Sequence, residues 1–166
     1  MIVKHLWSPW RLEYIKGQRL ESDCPFCSLP AEDKDPENLI LFKDQDIFVV
    51  LNKFPYNPGH LMVIPRAHVK DLSELDAQVQ TKLMGALPIC IDKLRQALEP
   101  QGFNVGMNIG QQAGAGIPHH LHWHVIPRWG GDTNFMPLIA DTKTVPTHNA
   151  SIFAQLSKHF AKFWVK

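Results

Sequence analysis

Four of the nine histidines fall within residues 119–124, in the run His119-His120-Leu121-His122-Trp123-His124-Val125-Ile126. From His120 onward, imidazoles alternate with apolar side chains. Successive residues of a strand point to opposite faces. A strand over 120–127 therefore puts His120, His122 and His124 on one face and Leu121, Trp123 and Val125 on the other, toward a core. Three imidazoles on one face need partners, and two chemistries supply them. One is a metal triad, because imidazole is a common zinc ligand. The other is a nucleophilic histidine with histidine helpers: neutral imidazole attacks phosphorus and leaves again, while a neighbouring ring donates a hydrogen bond to a phosphate oxygen or to the leaving group. Residues 100–131 contain no Asp or Glu. A mononuclear catalytic metal usually works beside a carboxylate, whereas an anionic phosphate is better served without one, so the segment favours the nucleophilic reading. Directly before it lies Gly110-Gln-Gln-Ala-Gly114-Ala-Gly116-Ile-Pro118, a loop whose glycines let backbone amides approach an anion.

A second constellation is Cys24-Pro25-Phe26-Cys27. A Cys-x-x-Cys pair alone reads as a redox pair, as half a zinc site, or as chance. The redox reading wants a following helix in a βαβ unit, which Pro30, Asp33 and Pro36 oppose. The zinc reading needs two more ligands, for which histidines are the plentiful source. Cys90 falls in a helical pattern and reads as core.

The elements that must position these groups follow from periodicity. Residues 46–52 and 60–65 are β-branched, apolar strands, joined by the turn-rich Lys53-Phe54-Pro55-Tyr56-Asn57-Pro58-Gly59. His60, at the start of the second, reads as structural. Residues 72–98 carry Leu72, Leu75, Val79, Leu83, Leu87, Ile91, Leu94 and Leu98 at helical spacing. Ser73 with Asp76 resembles a capping box, and Pro88 predicts a kink or break near Gly85–Leu87. Residues 103–109 read as a third strand and 120–127 as a fourth. Residues 151–164 read as a C-terminal helix. The expectation is a single α+β domain over 1–166: an arm with the cysteine knuckle over 1–38, a catalytic core over 39–140, and the helical end over 141–166.

Composition narrows the class. The chain has 166 residues and a formal net charge of +1, which argues against a coat for polymeric nucleic acid. No run of 18 apolar residues predicts a membrane span, and Met1-Ile2-Val3-Lys4-His5 has no apolar signal core. Three cysteines make a poor disulfide framework, so a reducing, cytoplasmic setting is expected.

With its flanks, the histidine run resembles the histidine-triad (HIT) superfamily. His120-Leu-His122-Trp-His124-Val-Ile matches the family's alternating signature, and Asn52 through His68 resembles its first half. Asn108-Ile-Gly110 and the glycine loop resemble its phosphate loop. Trp7-Ser-Pro-Trp10-Arg-Leu-Glu-Tyr14 and Pro127-Arg128-Trp129-Gly-Gly-Asp132-Thr-Asn134-Phe135 are similar to the branch of diadenosine tetraphosphate phosphorylases and related hydrolases. The resemblance implies a five-stranded antiparallel sheet with a long helix and a C-terminal helix, assembled as a homodimer. It implies a nucleotide or dinucleoside polyphosphate substrate, cleaved at the α-phosphate through a covalent nucleotidyl-histidine on His122. His124 would contact the phosphate or assist the leaving group, and His120 would orient His122 or bind zinc. Asn52 would hold the ribose, and Asn108, Gly114 and Gly116 the phosphates. Related uridylyltransferases imply a structural zinc on Cys24, Cys27, His68 and His120, with no organic cofactor. Where many members carry Ser or Thr three residues before the first triad histidine, this chain has Ile117. Backbone amides of Gly114–Gly116 are the expected substitute.

Overall fold

The computed structural model describes residues 24–132 and 147–164. The tryptophan-rich arm and the Asn134-Phe135 part of the family resemblance lie outside the described residues. Five strands form one antiparallel sheet: β1 (Ile40–Lys43), β2 (Ile47–Leu51), β3 (Leu61–Pro65), β4 (Gly102–Gly106) and β5 (Trp123–Arg128). Their order across the sheet is β1-β2-β3-β5-β4. The chain leaves β3, returns through the long helix α1 (Ala77–Leu98), and adds β4 and β5 beyond β3. A one-turn helix spans Pro25–Ser28 within the cysteine knuckle, and the C-terminal helix, α2, spans Asn149–Phe160 rather than 151–164.

Period-two alternation divides the core into two layers. Ile47, Val49, Leu51, Leu61, Val63, Leu121 and Val125 pack beneath Leu83, Leu87 and Leu94 of α1 and Ile152, Leu156 and Phe160 of α2. Phe48, Val50, Met62 and Ile64 face the other way and meet Cys24, Phe26 and Ile40. The cysteine knuckle thus covers the face opposite α1 and α2, where even-numbered residues of β3 and β5 also point.

The structure corrects several of the sequence expectations. The long helix starts at Ala77, not at Leu72. Asp71 caps a separate 3-10 turn over Leu72–Glu74, and Asp76 caps the helix by accepting from the Gln78 amide. The capping box read from Ser73 and Asp76 is therefore two single caps. Pro88 does not break the helix, which runs unbroken through it. Pro88 and Met84 are both exposed, so the carbonyl deprived of its partner at i−4 lies on the solvent side. The histidine strand pairs only from Trp123, later than residue 120. Leu121 instead donates to the Val69 carbonyl at 2.7 Å, which holds the incoming segment beside β3 without a ladder. The third strand ends at Gly106 rather than 109. β4 is an open sheet edge among the described residues, the feature that the expected homodimer would use. No helix among the described residues is long and apolar enough to cross a membrane.

Candidate functional site

Antiparallel register brings His60 beside the histidine run. Met62 of β3 pairs with His124 of β5. His60 lies two residues before Met62 and so shares its face. Gly59 makes that entry possible. Its φ is +75°, and a Cβ there would come within 2.5 Å of Leu98 Cδ1. The β2–β3 loop is fixed as a unit. Asn52 N–H donates to His60 O at 2.8 Å, and the Asn57 side chain donates to Pro127 O and Asp132 Oδ2 at 2.8 and 2.7 Å.

The protons on these rings are determined by partners that can act in only one way. The Tyr56 amide can only donate, and it reaches His60 Nδ1 at 3.1 Å, with the Asn52 amide Nδ2 at 3.3 Å from the same atom. His60 Nδ1 is therefore an acceptor and its proton sits on Nε2. Nε2 meets His124 Nδ1 at 2.9 Å, so His124 accepts there and carries its own proton on Nε2. A carbonyl can only accept, and His120 O lies 2.8 Å from His122 Nδ1. His122 thus holds its proton on Nδ1 and leaves Nε2 bare. His120 donates from Nε2 to Pro65 O at 2.9 Å, and its Nδ1 is bare.

Burial keeps all four rings neutral. Desolvation pushes His60 down to about 3 and His120 and His124 each to about 4, and lowers His122 from its ordinary value. His122 and His124 stand edge to face, with ring centres 4.9 Å apart. Phe26 of the cysteine knuckle packs on both His120 and His122, at 5.5 and 5.1 Å.

Neutral burial has a consequence for acid stability. His60 is fully buried and stays unprotonated in the fold down to about pH 3, while in the unfolded chain it takes a proton near 6.5. Between these values the unfolded state binds more protons, so stability falls as pH falls through that window. One pH unit below the unfolded value, His60 alone should cost about 1.4 kcal/mol. Urea midpoints at pH 7.5 and 5.5 should therefore differ more in the wild type than in His60→Gln. Equal differences would refute the assignment.

His120 turns its Nδ1 toward the cysteines. Its bare Nδ1 lies 3.2 Å from Cys24 Sγ and 3.6 Å from Cys27 Sγ, and His68 Nδ1 lies 3.2 Å from Cys27 Sγ. One donor atom from each of Cys24, Cys27, His68 and His120 lies within 4.8 Å of all the others. The geometry gathers these four residues and not the three triad rings, so a metal held by His120, His122 and His124 together is not what the structure builds. The thiol of Cys27 is raised by burial and by its neighbour Cys24, a cost that a cation would remove.

The remaining sequence-derived residues fall nearby with less uniform roles. Asn52 Oδ1 accepts from the Phe54 amide at 2.9 Å while its Nδ2 faces His60, so it shapes the loop that carries His60. The Asn108 side chain reaches Gly114 O at 3.5 Å. In the glycine loop, Gly114 has φ +87° and its N–H donates to Gln111 O, while Ala115 N–H donates to Gly110 O. Two of the amides expected to replace the missing hydroxyl are thus spent inside the loop. Ile117, where that hydroxyl would stand, packs with the apolar layer of Phe48, Val50 and Met62. His60 is the functional residue that sequence reading missed as such. Its signal was parity with Met62, which is legible only once β3 is known to pair with β5.

Comparison with known proteins agrees with this geometry. A family model described as HIT domain matches residues 33–131. An AP-4-A phosphorylase of Mycobacterium tuberculosis (strain H37Rv) is 37% identical over 151 residues, covering 87% of this chain and 77% of that protein. Protein hit of Bacillus subtilis (strain 168) is 29% identical over 113 residues, covering 68% and 76%. A Zn-bound histidine triad family protein from Mycobacterium smegmatis superposes with a TM-score of 0.68 at 23% identity, over 84% of this chain and 94% of that one.

Proposed function

Because this chain belongs to the HIT domain family, we propose that it is a nucleotidyl transferase that cleaves dinucleoside polyphosphates such as diadenosine tetraphosphate at an α-phosphate. The observation that carries the reading is the fixed tautomer of His122, whose Nδ1–H donates to the His120 carbonyl at 2.8 Å. Its bare Nε2 attacks the α-phosphorus. A P–N bond forms, the P–O bond to the rest of the phosphate chain breaks, and the electron pair departs with that oxygen. No proton need move, because His124 Nε2–H donates a hydrogen bond to the departing oxygen, which leaves as an anionic phosphate. The nucleotidyl-imidazolium keeps its Nδ1 proton on His120 O. In the second step an acceptor oxygen forms a bond to phosphorus, the P–N bond breaks, and His122 is regenerated neutral.

The acceptor follows from the same protonation states. Water must lose a proton as it attacks, yet His124 has Nε2 protonated and Nδ1 occupied by His60. Residues 100–131 offer no carboxylate. Inorganic phosphate brings an oxygen that is already anionic. We therefore favour phosphorolysis, in keeping with the name of the 37% identical relative. Incubation with diadenosine tetraphosphate and inorganic phosphate should yield ADP and ATP. AMP with ATP would mean hydrolysis, and absence of both product pairs would overturn the assignment. Asn52 is proposed to hold the ribose, and Asn108 with Gly114 and Gly116 to border the phosphates.

We further propose zinc at Cys24, Cys27, His68 and His120. The residues fit it: two sulfurs and two ring nitrogens converge, and His120 Nδ1 is bare because its Nε2–H is engaged by Pro65 O. With Cys24, Cys27, His68 and His120 all engaged, a zinc ion held there would have no ligand position left for substrate, so it would supply structural support rather than catalysis.

A further inference from the structure

Beside His124 the face opposite α1 and α2 opens into a cavity of about 220 Å³, lined among others by Tyr56, Asn104, Met107, Asn108, His124 and Ile126. The mechanism above draws on its His124 and Asn108 but gives no substrate contact to Tyr56, Asn104 or Ile126. Resting on that mechanism, the geometry points to this cavity as the site of the leaving half of the substrate, with Tyr56 as the platform on which its base stacks.

Stereochemistry at phosphorus carries the argument. In-line displacement puts the departing oxygen opposite His122 Nε2. The group that stabilises that oxygen is His124, whose proton lies on Nε2 because His60 occupies Nδ1. The phosphate chain beyond the broken bond must therefore start at His124, which lines the cavity. The walls suit such a chain. They hold no Asp or Glu, and they present the amide side chains of Asn104 and Asn108 beside the backbone at Gly106. Arg128 donates to Asn104 Oδ1 and is itself paired with Asp132.

Tyr56 supplies the aromatic surface. Its ring packs 4.8 Å from His60 and 6.1 Å from His124, yet the residue is 52% exposed. A large aromatic left half in solvent above a catalytic ring is available for a base to cover. Its backbone amide separately holds His60 Nδ1, so side-chain truncation leaves the tautomer chain of His60 and His124 intact.

The test compares two substrates that share the nucleotidyl half and differ in what leaves: diadenosine tetraphosphate and adenosine 5′-phosphoramidate. Tyr56→Ala should lose about tenfold more kcat/KM on the tetraphosphate than on the phosphoramidate, the scale of one lost base–aromatic stack. Tyr56→Phe should restore most of it. Ile126→Glu, which puts a carboxylate on the cavity wall beside His124, should show the same selective loss and a raised KM for the tetraphosphate. Equal losses on both substrates, or no loss on the tetraphosphate, would overturn the subsite while leaving the His122 mechanism standing. A wild-type protein that turns over neither substrate would overturn that mechanism, and the subsite with it. Melting curves of each variant separate misfolding from loss of the subsite, and His122→Ala protein with unaltered folding gives a second readout. Its affinity for diadenosine tetraphosphate should exceed its affinity for AMP, and Tyr56→Ala in that background should cut the excess by about tenfold.

Discussion

His122→Ala should reduce turnover of diadenosine tetraphosphate by more than about a hundredfold while leaving nucleotide affinity nearly intact. The ring contributes a bare Nε2 and little of the binding surface, so its removal takes away the covalent step and not the pocket. The backbone carbonyl of His120, which sets the tautomer, is unaffected by the change. His122→Gly opens a slot of imidazole size next to Phe26 and His124, and added imidazole should restore part of the rate. Denaturing the wild-type enzyme during turnover of substrate labelled at the α-phosphate should trap acid-labile, base-stable label on His122. His124→Asn should retain more activity than His122→Ala, because it removes a hydrogen bond to the leaving oxygen and not the attacking atom. A His122→Ala enzyme that keeps more than about a hundredth of wild-type activity would show that the nucleophile lies elsewhere.

Much of this site was legible in the linear chain because the informative signal was local. Alternation over residues 120–126 put three rings on one face, and the structure keeps that parity even though strand pairing starts only at Trp123. The absence of carboxylates from 100–131 was equally local. What the chain alone could not give was contact across the sheet. His60 precedes β3 by one residue and looks structural by itself; register with β5 makes it the partner that fixes His124. The direction of His120 was hidden for the same reason. Three rings of one parity look equivalent in sequence, but the Cys24–Cys27 turn, about a hundred residues away, draws one of them out of the set. β1 escaped reading because Ile40–Lys43 is four residues long and bulged between Ile40 and Phe42, too short for alternation to register. The glycine loop illustrates the opposite limit. Its composition allowed amides to face an anion, but composition does not say that Gly114 and Ala115 donate to the loop's own carbonyls.

Cys24→Ala should lose the metal, and with it both stability and rate. Cys24 is buried at the start of the Pro25–Ser28 turn, and its Sγ is one of four donors converging from segments as far apart as Cys24 and His120. Closing such a site converts metal-binding free energy into folding free energy. A loss of about 3 kcal/mol would lower Tm by roughly 10 °C in a domain of this size. Removing one sulfur from a small buried side chain cannot account for that by packing alone, since deleting so little volume costs about 1 kcal/mol. The effect on rate travels through two contacts: His120, whose carbonyl holds the His122 proton, and Phe26, which packs on the His122 ring. Freeing the knuckle loosens both, so kcat should fall with KM little changed. Chelator should bring wild-type Tm and kcat down to those of the variant and leave the variant unmoved. Wild-type protein purified without metal, melting as the variant melts and equally active, would rule out the ion, and the convergence of Cys24, Cys27, His68 and His120 would then be packing alone.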